Sequence, residues 1–300
     1  MEKQILALAA DKSLGVDVAQ QLPMIRAAGF DGAFAQWTDA QTMKEWARIA
    51  ADCGLVFPLM HAPFRQSKAI WNGPDEQAEL GVAQLIDCLH SCAHHEVPVI
   101  VTHAYIGIDN VAHIPTQEGL ERYYRVLRAA EGTGVTVAFE NTEGEEYLEA
   151  LFANFADHPQ FGFCWDSGHE QCYNRAQDML QKYGRCLCAT HLNDNMGVTA
   201  ADGSLSTSDD LHLIPFDGVT DWKAAVQRLV AVGYGGALSF ELKRQARGNT
   251  RYLALSPQEY LSACYAGASR VAALAKQARK RQKMHKYTRK RLDNADIMRV

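Results

Sequence analysis

The sequence has few of the features that mark several common protein classes. None of its eight cysteines, at 53, 88, 92, 164, 172, 186, 188 and 264, forms a CxxC pair, and most sit among apolar neighbours. They read as free, buried thiols, which suit a reducing cytosol better than a disulfide framework. No window approaches the ~20 apolar residues of a membrane span, and the apolar run at 5–10 is too short for a signal h-region. A Pro/Ser-rich linker is also missing, so a single domain is expected. No Gly-rich phosphate loop follows the first apolar run, which counts against dinucleotide binding. Positive charge is scarce outside the end of the chain. Residues 276–300 hold ten Lys or Arg against two Asp, a net of +8, so the −5 of the whole chain leaves −13 for residues 1–275. A body this acidic is a poor general binder of nucleic acid or anionic membrane.

What the chain does have is apolar residues, 47% of the total, laid out as short continuous runs alternating with helical periods. The runs at 5–10, 29–35, 55–60, 97–102, 135–139, 161–165, 186–190 and 237–240 predict eight strands. Between and after them, helices are predicted at 17–28, from 39, at 75–94, 116–131, 145–156, around 178–183, at 221–232 and 256–275. Asp39 is placed to cap the second of these, with Met43, Trp46, Ile49 and Ala50 on one side. Eight buried strands alternating with helices predict a parallel sheet covered by helices, closed as a (β/α)8 TIM barrel over residues 1–275. A doubly wound open sheet is the structural rival. Residues 276–300 form a basic C-terminal extension to the barrel.

The predicted strands share a polar ending. His61 follows the third, His103 the fourth, Glu140 the fifth, Asp166 and His169 the sixth, His191 the seventh and Glu241 the eighth. The long loop at 193–219 adds Asp210 and His212. Any one of these alone reads as a hydrogen-bonded polar strand end. Acids and imidazoles at six successive ends, on the rim where barrels carry their active sites, read as one cup. Glu140, Asp166, His191 and Glu241 supply three oxygens and one nitrogen, a set suited to one manganese, zinc, cobalt or magnesium ion. Such a cation grips a carbonyl and its neighbouring hydroxyl, and Glu140 and Glu241 then serve as proton acceptor and donor. The expected chemistry is proton transfer beside a carbonyl through a metal-held enediolate. His61, His103, His169 and His212 are expected around the substrate, and Asp210 with His212 would be further ligands if more than one zinc is held.

The strings HAPF at 61–64, FENTEG at 139–144, CWDSGHE at 164–170, THLNDN at 190–195, HLIPFDG at 212–218 and SFEL at 239–242 carry a resemblance. Over residues 5 to about 275 the chain resembles the sugar phosphate isomerase/epimerase group of xylose isomerase-like barrels. The resemblance implies metal binding by Glu140, Asp166, His191 and Glu241, proton exchange by the two glutamates, and contact of His169 with substrate oxygens. It also extends to endonuclease IV, whose three-zinc ligand positions resemble His61, His103, Glu140, Asp166, His169, His191, Asp210, His212 and Glu241. Against that reading stand the acidic body and the string Phe216, Asp217, Gly218 where the DNA enzyme has Gly-Glu-Gly. A barrel dehydratase is a further alternative of the same superfamily, and a binding protein without turnover is another. The expected partner is a small carbohydrate, with neither nucleic acid nor membrane, in a cytoplasmic protein that is free to form a homo-oligomer.

Lesser features have plain readings beside functional ones. Trp37, Phe64, Trp71 and Trp165 suit core packing or an apolar wall against a sugar, with Phe64 and Trp71 in a loop from which a lid would be drawn. Lys243 and Arg247 suit a solvated loop or a substrate anion. The tail from Lys276 reads as a solvated extension, or else a helix that meets an acidic partner surface or nucleic acid.

Overall fold

The computed structural model describes residues 4–108, 114–246 and 248–297, with side chains as far as Met284. Arg247 lies outside the described residues. The strands are β1 (Leu6–Ala9), β2 (Gly32–Phe34), β3 (Met60–His61), β4 (Val99–His103), β5 (Thr136–Glu140), β6 (Phe161–Asp166), β7 (Leu187–His191) and β8 (Leu238–Phe240). All their pairings are parallel, β2–β1–β8 forming one group and β3 to β7 the other. Isolated parallel bridges join the two groups, Gly32 to Val56 and Gln36 to His61 on one side and Leu192 to Phe240 on the other. The ring is therefore closed, and among the described residues no strand edge is left to pair elsewhere.

Side chains alternate across each strand, and the alternation decides what the site is made of. Outward positions such as Ile100, Val137, Phe139, Phe163 and Trp165 join the large apolar layer between strands and helices. Inward positions Ala7, Phe34, Leu59, Val99, Val101, Ala138, Cys164 and Ala189 form a separate small plug inside the barrel. Two residues further along, the same inward rows reach His61, His103, Glu140, Asp166 and His191. Register puts His103 opposite Glu140 and Asp166 opposite His191.

The helices surround this barrel. In α2 (Ala40–Cys53), Asp39 accepts from the Thr42 N–H at 2.8 Å, and Met43, Trp46 and Ala50 are buried. Gly54 ends the helix at φ 72°, a conformation glycine adopts without strain. The eight cysteines are all free, five buried and three half-buried.

Several expectations need correction. Residues 29–31 are not strand: Gly29, at φ 113°, closes α1 (Val18–Ala28) with its N–H on Arg26 and Ile25. The run at 55–60 yields strand only at Met60, because Pro58 has no N–H to give a ladder. Two short helices, α3 (Ser67–Asn72) and α7 (Ser167–Cys172), lie where loops were expected, being too short to show a period. The boundary at 275/276 falls inside α10 (Pro257–Ile297), a single helix of 41 residues, about 60 Å long. Arg279 bonds Gln4 and the Tyr234 carbonyl, and Gln282 bonds the Val230 carbonyl, so the basic segment begins packed on the barrel.

Candidate metal centre

The inward row ends in a buried polar ring beneath a cavity of about 610 Å³, a size that suits a small molecule. Glu140 and His191 are wholly buried, and Asp166 with them. His61, His103, His169, His212, Asp210 and Glu241 all line the cavity. The structure thus brings together every side chain singled out at the strand ends. Ligand atoms of Glu140, Asp166, His191 and Glu241 lie within 4.8 Å of one another, as do those of His61, Glu140 and His191, and those of His169, Asp210 and His212.

Local structure fixes each member. Asp166 ends β6 and caps α7, accepting from the His169 N–H at 2.7 Å. The Asn193 amide donates to both of its carboxylate oxygens, at 3.1 and 2.9 Å. Asn193 reaches that position only because residue 168 is glycine, since a Cβ there would overlap the Asn193 side chain. Gly168 lies within α7, so close approach and not a turn is what it provides. Asn141 clamps the Asp166 backbone from the other side, accepting its N–H at 2.8 Å and donating to its carbonyl at 2.9 Å.

The imidazoles are oriented by backbone. Nδ1 of His61 lies 2.9 Å from the Ala62 carbonyl, Nδ1 of His169 lies 3.1 Å from that of Asn141, and Nδ1 of His212 lies 3.0 Å from that of Glu241. A carbonyl only accepts, so each Nδ1 carries hydrogen, and in its neutral form each ring turns its Nε2 lone pair into the cup. Backbone-held imidazoles of this kind are what metal sites use. His191 turns the other way, its Nδ1 sitting 3.0 Å from Glu140 Oε1 and 3.3 Å from Glu241 Oε2.

The charges are mutually dependent. Burial opposes ionisation of Glu140, but His191 and His169 outweigh it and hold the carboxyl well below its usual range. Burial likewise opposes the His191 charge, yet Glu140 and Glu241 raise its pKa to about 9. Asp166 moves up to about 6, since burial and the Glu140 charge outweigh the His169 imidazole. Burial drives His103 down to about 3 despite Glu140 nearby. Glu140 Oε2 is buried without a hydrogen bond, 3.5 Å from His103 Nε2 and 3.7 Å from His61 Nε2. Glu140, Asp166, His191 and Glu241 fit a divalent cation: their donors converge, and Glu140 keeps an unbonded oxygen.

Sequence reasoning missed several residues. Asp11 and Gln36 line the cavity from the ends of β1 and β2. Each continues an inward row, Asp11 two after Ala9 and Gln36 two after Phe34, so the period-two pattern was the available signal. Glu143, in the FENTEG string, is buried, accepts from the Gly107 N–H at 2.8 Å and also lines the cavity. Of the four aromatic residues considered for a sugar wall, only Phe64 lines the cavity, stacked on His103 with ring centroids 4.1 Å apart. Trp71 is instead buried in α3 with its Nε1 on the Ala104 carbonyl, and Trp165 faces outward with its Nε1 on Glu170. Trp37 borders a separate groove with α2. Lys243 does line the cavity, its Nζ 2.8 Å from His212 Nε2.

Known proteins share this architecture. The chain is 28% identical to an uncharacterised protein, y4fM, of Sinorhizobium fredii, over 88% of this chain and 91% of that protein. It superposes on the IOLI protein, solved with a zinc atom, at a TM-score of 0.70 and 16% identity, covering 88% of this chain and 97% of that one. An L-ribulose 3-epimerase superposes at 0.68 and 15% identity, covering 94% of this chain and 98% of that one. At such identities the likeness to solved structures is one of fold. The family model of the xylose isomerase-like TIM barrel matches residues 13–263, and the chain belongs to that family.

Proposed function

We propose that the chain is a divalent-metal-dependent isomerase or epimerase of a sugar, a sugar phosphate or a related keto-polyol. One observation carries this reading. Carboxylates from β5 and from the residue after β8 reach the same His191 Nδ1, at 3.0 and 3.3 Å, directly beneath a cavity of sugar size. Two bases that meet at one point from different strands suit removal and return of a proton. The L-ribulose 3-epimerase and the zinc-bound IOLI protein support it as proteins of the same fold.

Glu140, Asp166, His191 and Glu241 would hold the ion, which when bound polarises a carbonyl and its neighbouring hydroxyl and makes the intervening C–H more acidic. Glu241 reaches the cavity, and its carboxyl is held down to about 2: burial opposes the charge, but His212, Lys243 and His191 outweigh it. It is therefore ionised and ready to accept the proton at neutral pH. Glu140 lies deeper and is also kept charged, by His191 and His169, so it returns a proton only after taking one up from solvent or a substrate hydroxyl. His61 and His103 border the cavity on the β3 and β4 side, and His169 and His212 on the β6 and β8 side, where they contact substrate oxygens. Phe64 covers His103 and shields one flank from water.

The test is metal analysis of the purified protein, then a screen of ketoses, keto-acids and inositol ketones for metal-dependent uptake of solvent deuterium. Glu241→Gln is expected to keep the fold and lose exchange by about 10²–10⁴-fold, the usual worth of a positioned acid or base. Undiminished exchange in that variant removes Glu241 from the mechanism. A second reading, a multi-zinc phosphodiesterase acting on abasic DNA, is favoured by the additional group His169, Asp210 and His212. Cleavage of an abasic oligonucleotide by protein holding three zinc ions would reverse the ranking.

A further inference from the structure

A second cavity, of about 450 Å³ among the described residues, adjoins the one above the polar ring. Gly107, Glu143 and Tyr173 line both, so the passage from one to the other runs past these three. A free ketose needs only the first cavity. The second is room for whatever the reacting sugar is attached to.

Both side chains at the passage have hydrogen-bonding capacity to spare. Glu143 is buried and accepts the Gly107 N–H at 2.8 Å through Oε1, while its other oxygen accepts from no other residue among the described ones. Tyr173 is buried as well, its ring centroid 5.0 Å from that of His169, and its hydroxyl makes no hydrogen bond among the described residues. An idle acceptor and an idle donor at one passage suit a ligand that carries hydroxyls beside ether oxygens. The loop beyond them is held against strain. Arg175 and Ala176, at φ 54° and 56°, are consecutive non-glycine residues in the left-handed region. In this conformation the Ala176 N–H donates to the Glu170 carbonyl at 2.7 Å, and Arg175 Nη1 donates to the Gly203 carbonyl at 2.7 Å. The second of these bonds ties the segment after α7 to the loop after β7, and both segments line the second cavity.

The lining also selects the class of group. Glu143, Glu145 and Glu146 surround the second cavity against a single base, Arg175. A phosphate there would meet three acidic neighbours, an unfavourable match of charge. Gln177 gives its oxygen to Lys182 and keeps its NH2 group for an acceptor, and Ile108 and Leu205 add apolar surface. A few polar groups set among apolar ones is how sites take a neutral, hydroxyl-bearing ring.

We infer that the substrate is a glycoside, whose reacting sugar lies above Glu140 and Glu241 and whose second, neutral sugar ring fills the adjoining cavity, with Glu143 and Tyr173 holding the link between them. The inference rests on the sugar isomerase or epimerase reading above and names its substrate class. It sets a glycoside ahead of a free sugar or a sugar phosphate.

The experiment is isothermal titration of full-length protein, with zinc chloride present, against three sets of sugars. The first set is D-fructose and D-glucose, the second their 6-phosphates, and the third the disaccharides turanose, isomaltulose, maltose and cellobiose. At least one disaccharide is expected to bind about 10-fold or more tighter than its parent monosaccharides and their phosphates. Ser204→Trp, an exposed position in the loop after β7, fills the second cavity and is expected to bring that disaccharide to the affinity of its parent sugar. Gln177→Trp fills the same cavity from the segment after α7 and serves if the first variant does not match the wild-type circular dichroism. Monosaccharides or phosphates that bind as tightly as every disaccharide overturn the inference and leave the sugar reading standing. A disaccharide advantage that survives in both tryptophan variants does the same, because the second ring then lies elsewhere. Binding of none of these sugars overturns both.

Discussion

Two layers of the barrel interior are built by the same strands, one rung apart, and they do opposite things. The lower layer, with Leu59, Val101, Ala138, Cys164 and Ala189, is small and apolar. The upper layer is polar throughout, with His61, Glu140, Asp166 and His191 buried and His103 half-buried. Burial of apolar surface makes the lower rung stabilising. The upper rung takes ionisable groups out of water, which costs free energy unless partners compensate. Here the partners are each other and a set of backbone carbonyls, with Phe34 of the lower layer stacked beneath His191 at 5.1 Å. The strand backbone is indifferent to which layer it builds. Stability and chemistry are therefore separable in this barrel, and substitutions should show it.

The largest effect is expected from Glu140→Gln. It removes the carboxylate shared by the ligand groups beneath the cavity, and metal affinity should fall by more than about 100-fold, the upper end of what outer-shell changes cost. The metal-free protein should melt near the wild-type temperature, because His191 and His169 can discharge to neutral imidazoles once their partner is gone. Isothermal titration with zinc and thermal melts with chelator present measure the two quantities. Leu59→Ala, in the lower layer, should do the reverse. It leaves a cavity inside the barrel at a cost of about 2–5 kcal/mol in urea unfolding, with metal affinity close to wild type. If Leu59→Ala loses metal as readily as Glu140→Gln, the two layers are one cooperative unit and the comparison fails.

The upper layer was legible in the sequence because each of its members sits at the end of an apolar run, where period-two alternation must point it inward. The same logic reaches Asp11 and Gln36, but the runs before them end in Ala10 and Ala35, and the polar residue one step later looks like ordinary loop. Supporting residues were harder to read. Asn141 and Asn193 are visible in the strings ENT and HLND, yet nothing in their spacing says that one clamps the Asp166 backbone and the other its carboxylate. That information lies in contacts between neighbouring strands. Gly168 is opaque for the same reason: a glycine beside Asp166 suggests a turn, whereas an asparagine arriving from β7 requires the missing Cβ. Lys243 reads from the sequence as a solvated or anion-binding residue, because only the fold reveals that its head meets His212. The composition of the tail cannot show that α10 continues through residue 276 with Arg279 held by Gln4.

Two smaller effects sharpen the comparison. Asn193→Ala removes both hydrogen bonds to the Asp166 carboxylate without touching any candidate ligand. Metal affinity should fall about 10–100-fold, as for other outer-shell partners. Unchanged affinity would mean that the cap on α7, through the His169 N–H, is enough to aim Asp166. The smallest effect belongs to a position outside both layers. Thr116 caps α5 (Gln117–Ala130), accepting from the Gly119 N–H at 3.0 Å while its hydroxyl donates to the Trp71 carbonyl at 2.5 Å. Thr116→Ala should lower unfolding free energy by about 1 kcal/mol, the usual worth of such a cap. It should leave zinc affinity untouched, because Trp71 contacts the outer aromatic layer of Tyr123 and Tyr147, away from the polar ring. A measurable loss of zinc from this variant would show that the segment after β3 transmits strain from the outer helices to His61. The polar ring would then owe part of its geometry to the helical shell as well as to the strands beneath it.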